Sequence, residues 1–288
     1  MGGDGAVEVW FAVNGLRIAA KSWGRPGNTP VLALHGWLDN AASFDLIAPQ
    51  LPDCQIVAVD LPGHGRSSHR PDRWRMHIWD DVHELRAIVD ELGWERFALI
   101  GHSRGAGIAT LFAGTFPERV CALGLIEGLW PMTTNPEEAP NTLASSIHTD
   151  LNPAAKALPV YASHAAAIEA RSRAVGSISL SAAEVLVARG LRQVKGGYTW
   201  STDPRLRQGS PMRLSEAHGQ AFARAVKAPV CAVLSEDGMI AGAADVGERL
   251  AVYPHLECHR LTGNHHVHLE ADTAPAVAAA LRPFLTGH

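Results

Sequence analysis

Five short, almost wholly apolar runs recur along the chain: VLALHG from Val31, QIVAVDLPG from Gln55, RFALIGHS from Arg96, ALGLIEG from Ala122 and PVCAVLSEDG from Pro229. Gly, Pro or Asp punctuates the end of each, and helical patterns follow. A strand that is apolar at every position has both faces covered, so these runs predict a parallel sheet packed between two layers of helices. Ahead of them, VEVWFAVNGLRIAAKSWG alternates apolar and polar residues around Asn14-Gly15. That pair suits the two left-handed positions of a tight hairpin turn, so the sheet is expected to open with antiparallel strands. From Trp79 to Leu92, WDDVHELRAIVDEL has helical spacing and stops at Gly93.

The strand rhythm lapses from about Met132 to Glu216, where Ala-rich helical stretches such as AAIEARSRAV and SAAEVLVARGL take over, with a GGYTWSTDPRLR insert. It resumes with PVCAVLSEDG and LECHRLTG, and the chain ends on the helix APAVAAALRPFL. The prediction is an α/β core in two parts, residues 1–131 and 217–288, interrupted by a helical cap over 132–216. No internal repeat or low-complexity tract interrupts this reading.

Composition narrows the partners. With 288 residues, 47% of them hydrophobic and 19% charged, the chain has material for one large core. Its formal charge of −4 comes without a lysine or arginine run, which argues against nucleic acid and against an anionic membrane, and for a small molecule. Cys54, Cys121, Cys231 and Cys258 lie in or beside apolar runs with no C-x-x-C pair, the pattern of reduced core thiols. MGGDGAVEVW lacks a basic region followed by a long apolar one, and no apolar run is long enough to span a bilayer. These features together lead us to expect a cytoplasmic monomer or homodimer.

One serine stands out chemically. In ALIGHSRGAGIAT, from Ala98, Ser103 lies between Gly101 and Gly105. A G-x-S-x-G pattern alone is weak, but this one sits between a predicted strand and a predicted helix, the setting of a nucleophile elbow. A serine needs a base to take its proton, and TGNHHVHLEAD offers His265, His266 and His268 after the last strand. A histidine trio also raises the question of a metal, but no partner stands at ligand spacing, so neither metal nor cofactor is expected. DLPGHGRSS, from Asp60, lacks the G-K-[ST] ending of a phosphate loop and is read as structural.

Three stretches together, HGWLDNAASFDLIAPQLP from His35, DLPGHGRSSH from Asp60 and GHSRGAGIA from Gly101, resemble the α/β-hydrolase family, in its serine hydrolase-like branch. The resemblance covers the core well and the cap weakly. It makes Ser103 the nucleophile and preserves the family's order of serine, acid and histidine. His265 becomes the base, because the family's histidine stands five places before a glutamate, here Glu270. His266 is then a neighbour and His268 structural. His35-Gly36-Trp37 resembles the oxyanion loop, so the backbone N–H groups of Trp37 and Arg104 are expected to stabilise the tetrahedral oxyanion, each contributing roughly 3 to 4 kcal/mol to lowering the barrier.

The acid departs from the common pattern. SEDGMIAG places Gly238 where an aspartate is expected, with Asp237 one position early, while LGLIEGLWP places Glu127 at the end of the preceding strand. Either carboxylate could hold the histidine, and both remain candidates. Arg104 also departs from the apolar or Gln residue usual beside the nucleophile, and reads either as an ion pair or as a contact for an anionic substrate.

The resemblance implies a cofactor-independent serine hydrolase acting on a carboxylic ester, thioester or related acyl compound. His35, Gly36, Trp130 and Met132 are expected to border the pocket, with Tyr161 and Trp200 available from the cap. Carbon–carbon bond hydrolysis or perhydrolysis on the same triad stays open, as does a non-catalytic binding protein that keeps the fold. Dehalogenation and epoxide opening through an alkyl-enzyme ester do not fit a serine, whose alkyl ether has no carbonyl for water to attack.

Overall fold

Asn14 and Gly15 have φ of 51° and 77°, the left-handed pair that folds β1 (Val7–Val13) back on β2 (Leu16–Trp23), with Val13 opposite Leu16. This is the expected hairpin, and it forms one edge of the central sheet. The computed structural model describes residues 5–71, 76–152, 157–174, 176–240 and 242–286. The start of the stretch read for an export signal, residues 153–156 and 175 of the region read as cap, and the final two residues lie outside the described residues.

β3 (Thr29–Leu34), β4 (Cys54–Val59), β5 (Phe97–His102), β6 (Val120–Ile126), β9 (Val230–Ser235) and β10 (Leu256–Leu261) complete an eight-stranded sheet in the order β1-β2-β4-β3-β5-β6-β9-β10. Only the pairings of β2 are antiparallel. The five apolar runs are therefore β3, β4, β5, β6 and β9, buried on both faces as their composition requires. Leu32, Leu34 and Leu99 pack with Leu85 and Ile88 of α1 (Asp80–Glu91) and Ile108 and Phe112 of α2 (Arg104–Thr115). Val31, Ala33 and Ile100 point the other way, toward Val277 and Leu281 of α8 (Ala274–Thr286). Strand alternation thus divides one apolar sequence between two cores.

α3 (Ala139–Leu151), α4 (His164–Ser172) and α5 (Leu180–Gly190) lie between β6 and α6 (Glu216–Ala225). That stretch is not all helical: β7 (Leu191–Val194) and β8 (Gly197–Trp200) form a separate two-stranded sheet, turning through Gly196 and Gly197 at φ of 92° and 141°. α5 is tied to the main sheet by Arg189, whose guanidinium donates to both oxygens of the fully buried Asp60 at 2.9 and 3.0 Å and to Glu8 at 2.8 and 3.0 Å. Asp60 also accepts from the backbone of Ala41 and Arg66, so the DLPGHG loop is a structural anchor, as read. α7 (Val246–Leu250) is the remaining α-helix among the described residues. No helix among the described residues is long and apolar enough to cross a membrane.

Candidate active site

β5 stops at His102 and α2 starts at Arg104, so Ser103 alone makes the turn, with φ 51° and ψ −112°. A non-glycine residue there is strained, and it persists only where its surroundings fix it. The fixing is done by backbone contact. A Cβ on Gly105 would lie 2.1 Å from the carbonyl oxygen of Leu34, and one on Gly101 would lie 2.4 Å from that of Gly105. Both glycines let α2 start directly against the sheet. Gly105→Ala is accordingly expected to cost about 3 kcal/mol, the upper range of overpacking, read as a lower urea midpoint. Ser103 N–H donates to Ile126 at 2.9 Å, and its side chain makes no capping bond to α2. Among the described residues its hydroxyl has no hydrogen-bond partner, and it stands at the positive end of a helix.

Glu127 stands next door, one residue beyond β6, and it too is left-handed, with φ 47°. The residue is 2% exposed. Oε1 accepts from Ser235 N–H at 2.8 Å, and Oε2 accepts from Met239 N–H and from His265 Nδ1, both at 2.9 Å. With three donors facing it the carboxylate only accepts, so the proton of the His265 ring lies on Nδ1 toward Oε2 and Nε2 is left as the ring's acceptor. Of the two acids the sequence offered, the one that meets His265 is Glu127. Asp237 is exposed and, among the described residues, makes only a backbone bond, to Gly263 at 3.2 Å; it is corrected to a turn residue. The reason lies at Gly238, where a Cβ would be 2.2 to 2.4 Å from the three atoms of the Glu127 carboxylate. The space an acid at 238 would occupy holds the Glu127 carboxylate instead.

The stretch that resembles an oxyanion loop is a turn from Gly36 to Asp39, closed by Asp39 N–H to Gly36 at 3.3 Å, with Leu38 at φ 62°. The N–H groups of Trp37 and Arg104 have no acceptor among the described residues, as an oxyanion hole requires. The Trp37 indole donates to Leu206 at 2.8 Å across the loop after β8. Arg104 Nη2 donates to Asp81 at 2.7 Å beside a second pair, Arg70 with Asp81 and Glu84, so this guanidinium is held by the core's own carboxylate.

The pocket residues need correcting. His35 is fully buried, its Nε2 accepting from Leu61 N–H at 3.0 Å, so it supports the oxyanion loop from beneath. Gly36 is there because a Cβ would come within 2.7 Å of His102 Nδ1. Trp130 is core: it packs in the same cluster as Phe112 and Ala223, and a Cβ on Gly219 of α6 would touch its ring at 2.3 Å. Met132 is 77% exposed. Tyr161 and Trp200 pack on one another, the Trp200 indole donating to the Tyr161 hydroxyl at 3.2 Å.

Behind the site, His268 is fully buried and its Nε2 meets Ser43 Oγ at 3.1 Å. Burial, reinforced by His266, lowers its pKa to about 3. The unfolded chain therefore binds a proton there below about pH 6.5 that the folded chain refuses, so stability rises with pH between about 3 and 6.5. Lowering the pH from 7 to 5 is expected to cost about 2 kcal/mol through this residue alone. The check is a urea midpoint series in which His268→Gln flattens the slope.

Asp39, His102, His266 and Arg171 form a group that sequence reasoning did not find, apart from naming His266 a neighbour. The first three bring ligand-type atoms within 4.8 Å of one another, but Arg171 Nη2 lies 2.9 Å from Asp39 and 3.1 Å from His266. A permanent positive charge, the guanidinium, already stands at this spot. No spacing rule links Arg171 to Asp39; only the position of Asp39 inside the HGWLDN turn offered a signal.

Residues 29–156 match the family model described as alpha/beta hydrolase fold. A "Serine hydrolase-like protein" of Danio rerio is 31% identical over 93% of this chain and 85% of its own, and a "Probable serine hydrolase" of Drosophila melanogaster is 31% identical with the same coverage. Among solved structures, a hypothetical protein from Pseudomonas aeruginosa PAO1 is 44% identical, with a TM-score of 0.91, over 97% of this chain and 98% of that one. Kinship along nearly the whole length, on a sheet that brings a serine elbow, a histidine and a carboxylate to one end, shows that the chain belongs to the α/β-hydrolase family and resembles its serine hydrolase-like branch.

Proposed function

We propose that the protein is a cofactor-independent serine hydrolase that cleaves a carboxylic ester or related acyl compound through an acyl-enzyme on Ser103. The observation that carries this reading is the 2.9 Å contact between His265 Nδ1 and Glu127 Oε2, beside a left-handed serine whose hydroxyl is not spent on capping. In the proposed reaction Ser103 Oγ attacks the acyl carbonyl while His265 Nε2 takes its proton. Glu127 holds the tautomer and stabilises the imidazolium. The N–H groups of Trp37 and Arg104 receive the oxyanion, and the same proton passes to the leaving alcohol. Water, deprotonated by His265, then releases the acid and restores Ser103.

The names of the Danio rerio and Drosophila relatives support a serine hydrolase. The Glu127–His265 contact supports an enzyme over a binding protein that merely kept the fold. The four thiols are unpaired, and burial pushes those of Cys54 and Cys231 up to about 11 and about 12, which supports a reducing compartment such as the cytoplasm.

Rapid mixing with p-nitrophenyl acetate tests the proposal. The expected result is a burst of about one p-nitrophenol per protein with one acyl group added to the intact mass, both lost in Ser103→Ala. Turnover undiminished in Ser103→Ala would overturn it.

A further inference from the structure

The Asp39 group joins four segments, two of which also carry Ser103 and His265. Asp39 closes the oxyanion-loop turn, His102 precedes Ser103, His266 follows His265, and Arg171 enters from α4. Asp39 is 1% exposed. Arg171 Nη2 donates to its Oδ1 at 2.9 Å, His266 Nε2 lies 3.1 Å from its Oδ2, and His102 Nδ1 lies 3.7 Å from the same oxygen. His102 Nε2 in turn donates to the backbone carbonyl of His265 at 2.9 Å. One carboxylate thereby touches the oxyanion loop, the strand that delivers the nucleophile and the loop that delivers the base.

The charges show which contacts matter. His102 is fully buried, and that burial keeps its imidazole neutral. Its Nε2 proton is spent on His265, so Nδ1 faces Asp39 as a lone pair and offers no hydrogen bond. Burial by itself would raise the Asp39 carboxyl, but His266 and then Arg171 outweigh it and hold the group well below the usual range. Arg171 is the permanent charge among these partners, and without it an ionised carboxylate would be buried against rings.

The turn needs this anchor. Leu38 is left-handed at φ 62°, and the one backbone bond that closes the turn is long at 3.3 Å, so the strain has to be fixed from outside. A Cβ on Gly36 would come within 2.9 Å of Asp39 Oδ2; the carboxylate lies directly over the backbone of the loop that carries the Trp37 N–H.

Resting on the serine hydrolase reading, we infer that Asp39 and Arg171 are positioning residues of the reaction: their ion pair pins the Gly36–Asp39 turn so that the Trp37 N–H is held at the oxyanion position, and it braces the His265 loop through His266. Neither touches substrate. Misplacing one oxyanion donor costs on the order of 100-fold in kcat, and that loss is expected in both Asp39→Asn and Arg171→Met, with KM within about twofold. Because the two act as one unit, Asp39→Asn/Arg171→Met is expected to lose no more than the worse single change, far less than the product of the two. Arg171→Lys, which keeps a charge opposite Asp39, is expected to recover at least about tenfold over Arg171→Met.

The experiment is steady-state hydrolysis of p-nitrophenyl butyrate by wild type and these four variants, each checked for native unfolding and for its rate of labelling by a fluorophosphonate. The double variant leaves no unpaired buried charge, so it keeps the test open if Asp39→Asn does not fold. A kcat loss shared by the single and double variants, at unchanged KM and with rescue by lysine, is the expected result. Wild type that labels and turns over, with folded Arg171→Met and double variants within twofold of its kcat, overturns the positioning role alone. A raised KM at unchanged kcat overturns it too, in favour of substrate contact. Wild type that neither labels nor turns over overturns the hydrolase reading itself, and this inference with it.

Discussion

Glu127→Gln is expected to lower kcat for p-nitrophenyl butyrate by about 10⁴-fold, the cost of holding a catalytic histidine in the wrong tautomer. The amide keeps the shape of the side chain but cannot satisfy its surroundings. Ser235 N–H donates to one oxygen, and Met239 N–H and His265 Nδ1 donate to the other. An amide has one acceptor atom, so its NH2 group must face donors on one side or the other. With the NH2 toward His265, Nδ1 becomes the acceptor and the proton moves to Nε2, where it blocks the base, and Met239 N–H loses its acceptor. With the NH2 toward Ser235, a buried N–H is left without a partner, at about 1 to 3 kcal/mol of stability. Asp237→Asn, on an exposed turn residue, is expected to change kcat less than twofold. Kinetics of the two variants side by side check this; an intact Glu127→Gln with a disabled Asp237→Asn would reverse the assignment of the acid.

Gly238→Asp is expected to destabilise the protein by more than about 3 kcal/mol, although it restores the residue usual at that position. The new Cβ would overlap the Glu127 carboxylate, 2.2 Å from Oε2, and would bring a second carboxylate into a site that holds one. Either the side chains move apart, which breaks the bonds of Glu127, or one carboxylate takes up a proton. Adding Glu127→Gly removes the collision and also the strain at φ 47°, a conformation glycine adopts freely. The double variant is therefore expected to be more stable than Gly238→Asp alone. Urea midpoints of the two single variants and the double decide it; a double variant no more stable than Gly238→Asp would mean that residues 127 and 238 do not compete for one space.

That competition also shows where the sequence stops being legible. The core strands could be read because continuous apolar runs have one structural use, and the hairpin because Asn-Gly suits two successive left-handed residues. The serine elbow was visible for a similar reason, since Gly101 and Gly105 stand where backbone meets backbone. The acid was not, because Glu127 and Asp237 both follow strands, and the choice depends on which carboxylate has room. Trp130 illustrates the same limit: an aromatic residue after a strand reads equally as pocket wall or core, and a glycine on α6 decides for core. β7 and β8 were missed because four-residue strands with mixed polarity carry too little pattern. Arg171 and Asp39 are 132 residues apart in the chain, and no local signal joins them.

Activation of Ser103 as a nucleophile by His265 and Glu127 is the central proposal. Its most direct test is the intact mass of the protein after incubation with a fluorophosphonate, beside Ser103→Ala and Glu127→Gln. The expected result is one adduct per chain on the wild type, mapped to the peptide holding Ser103, none on Ser103→Ala, and strongly slowed labelling of Glu127→Gln. An unlabelled wild type, or an adduct that persists in Ser103→Ala, would contradict it.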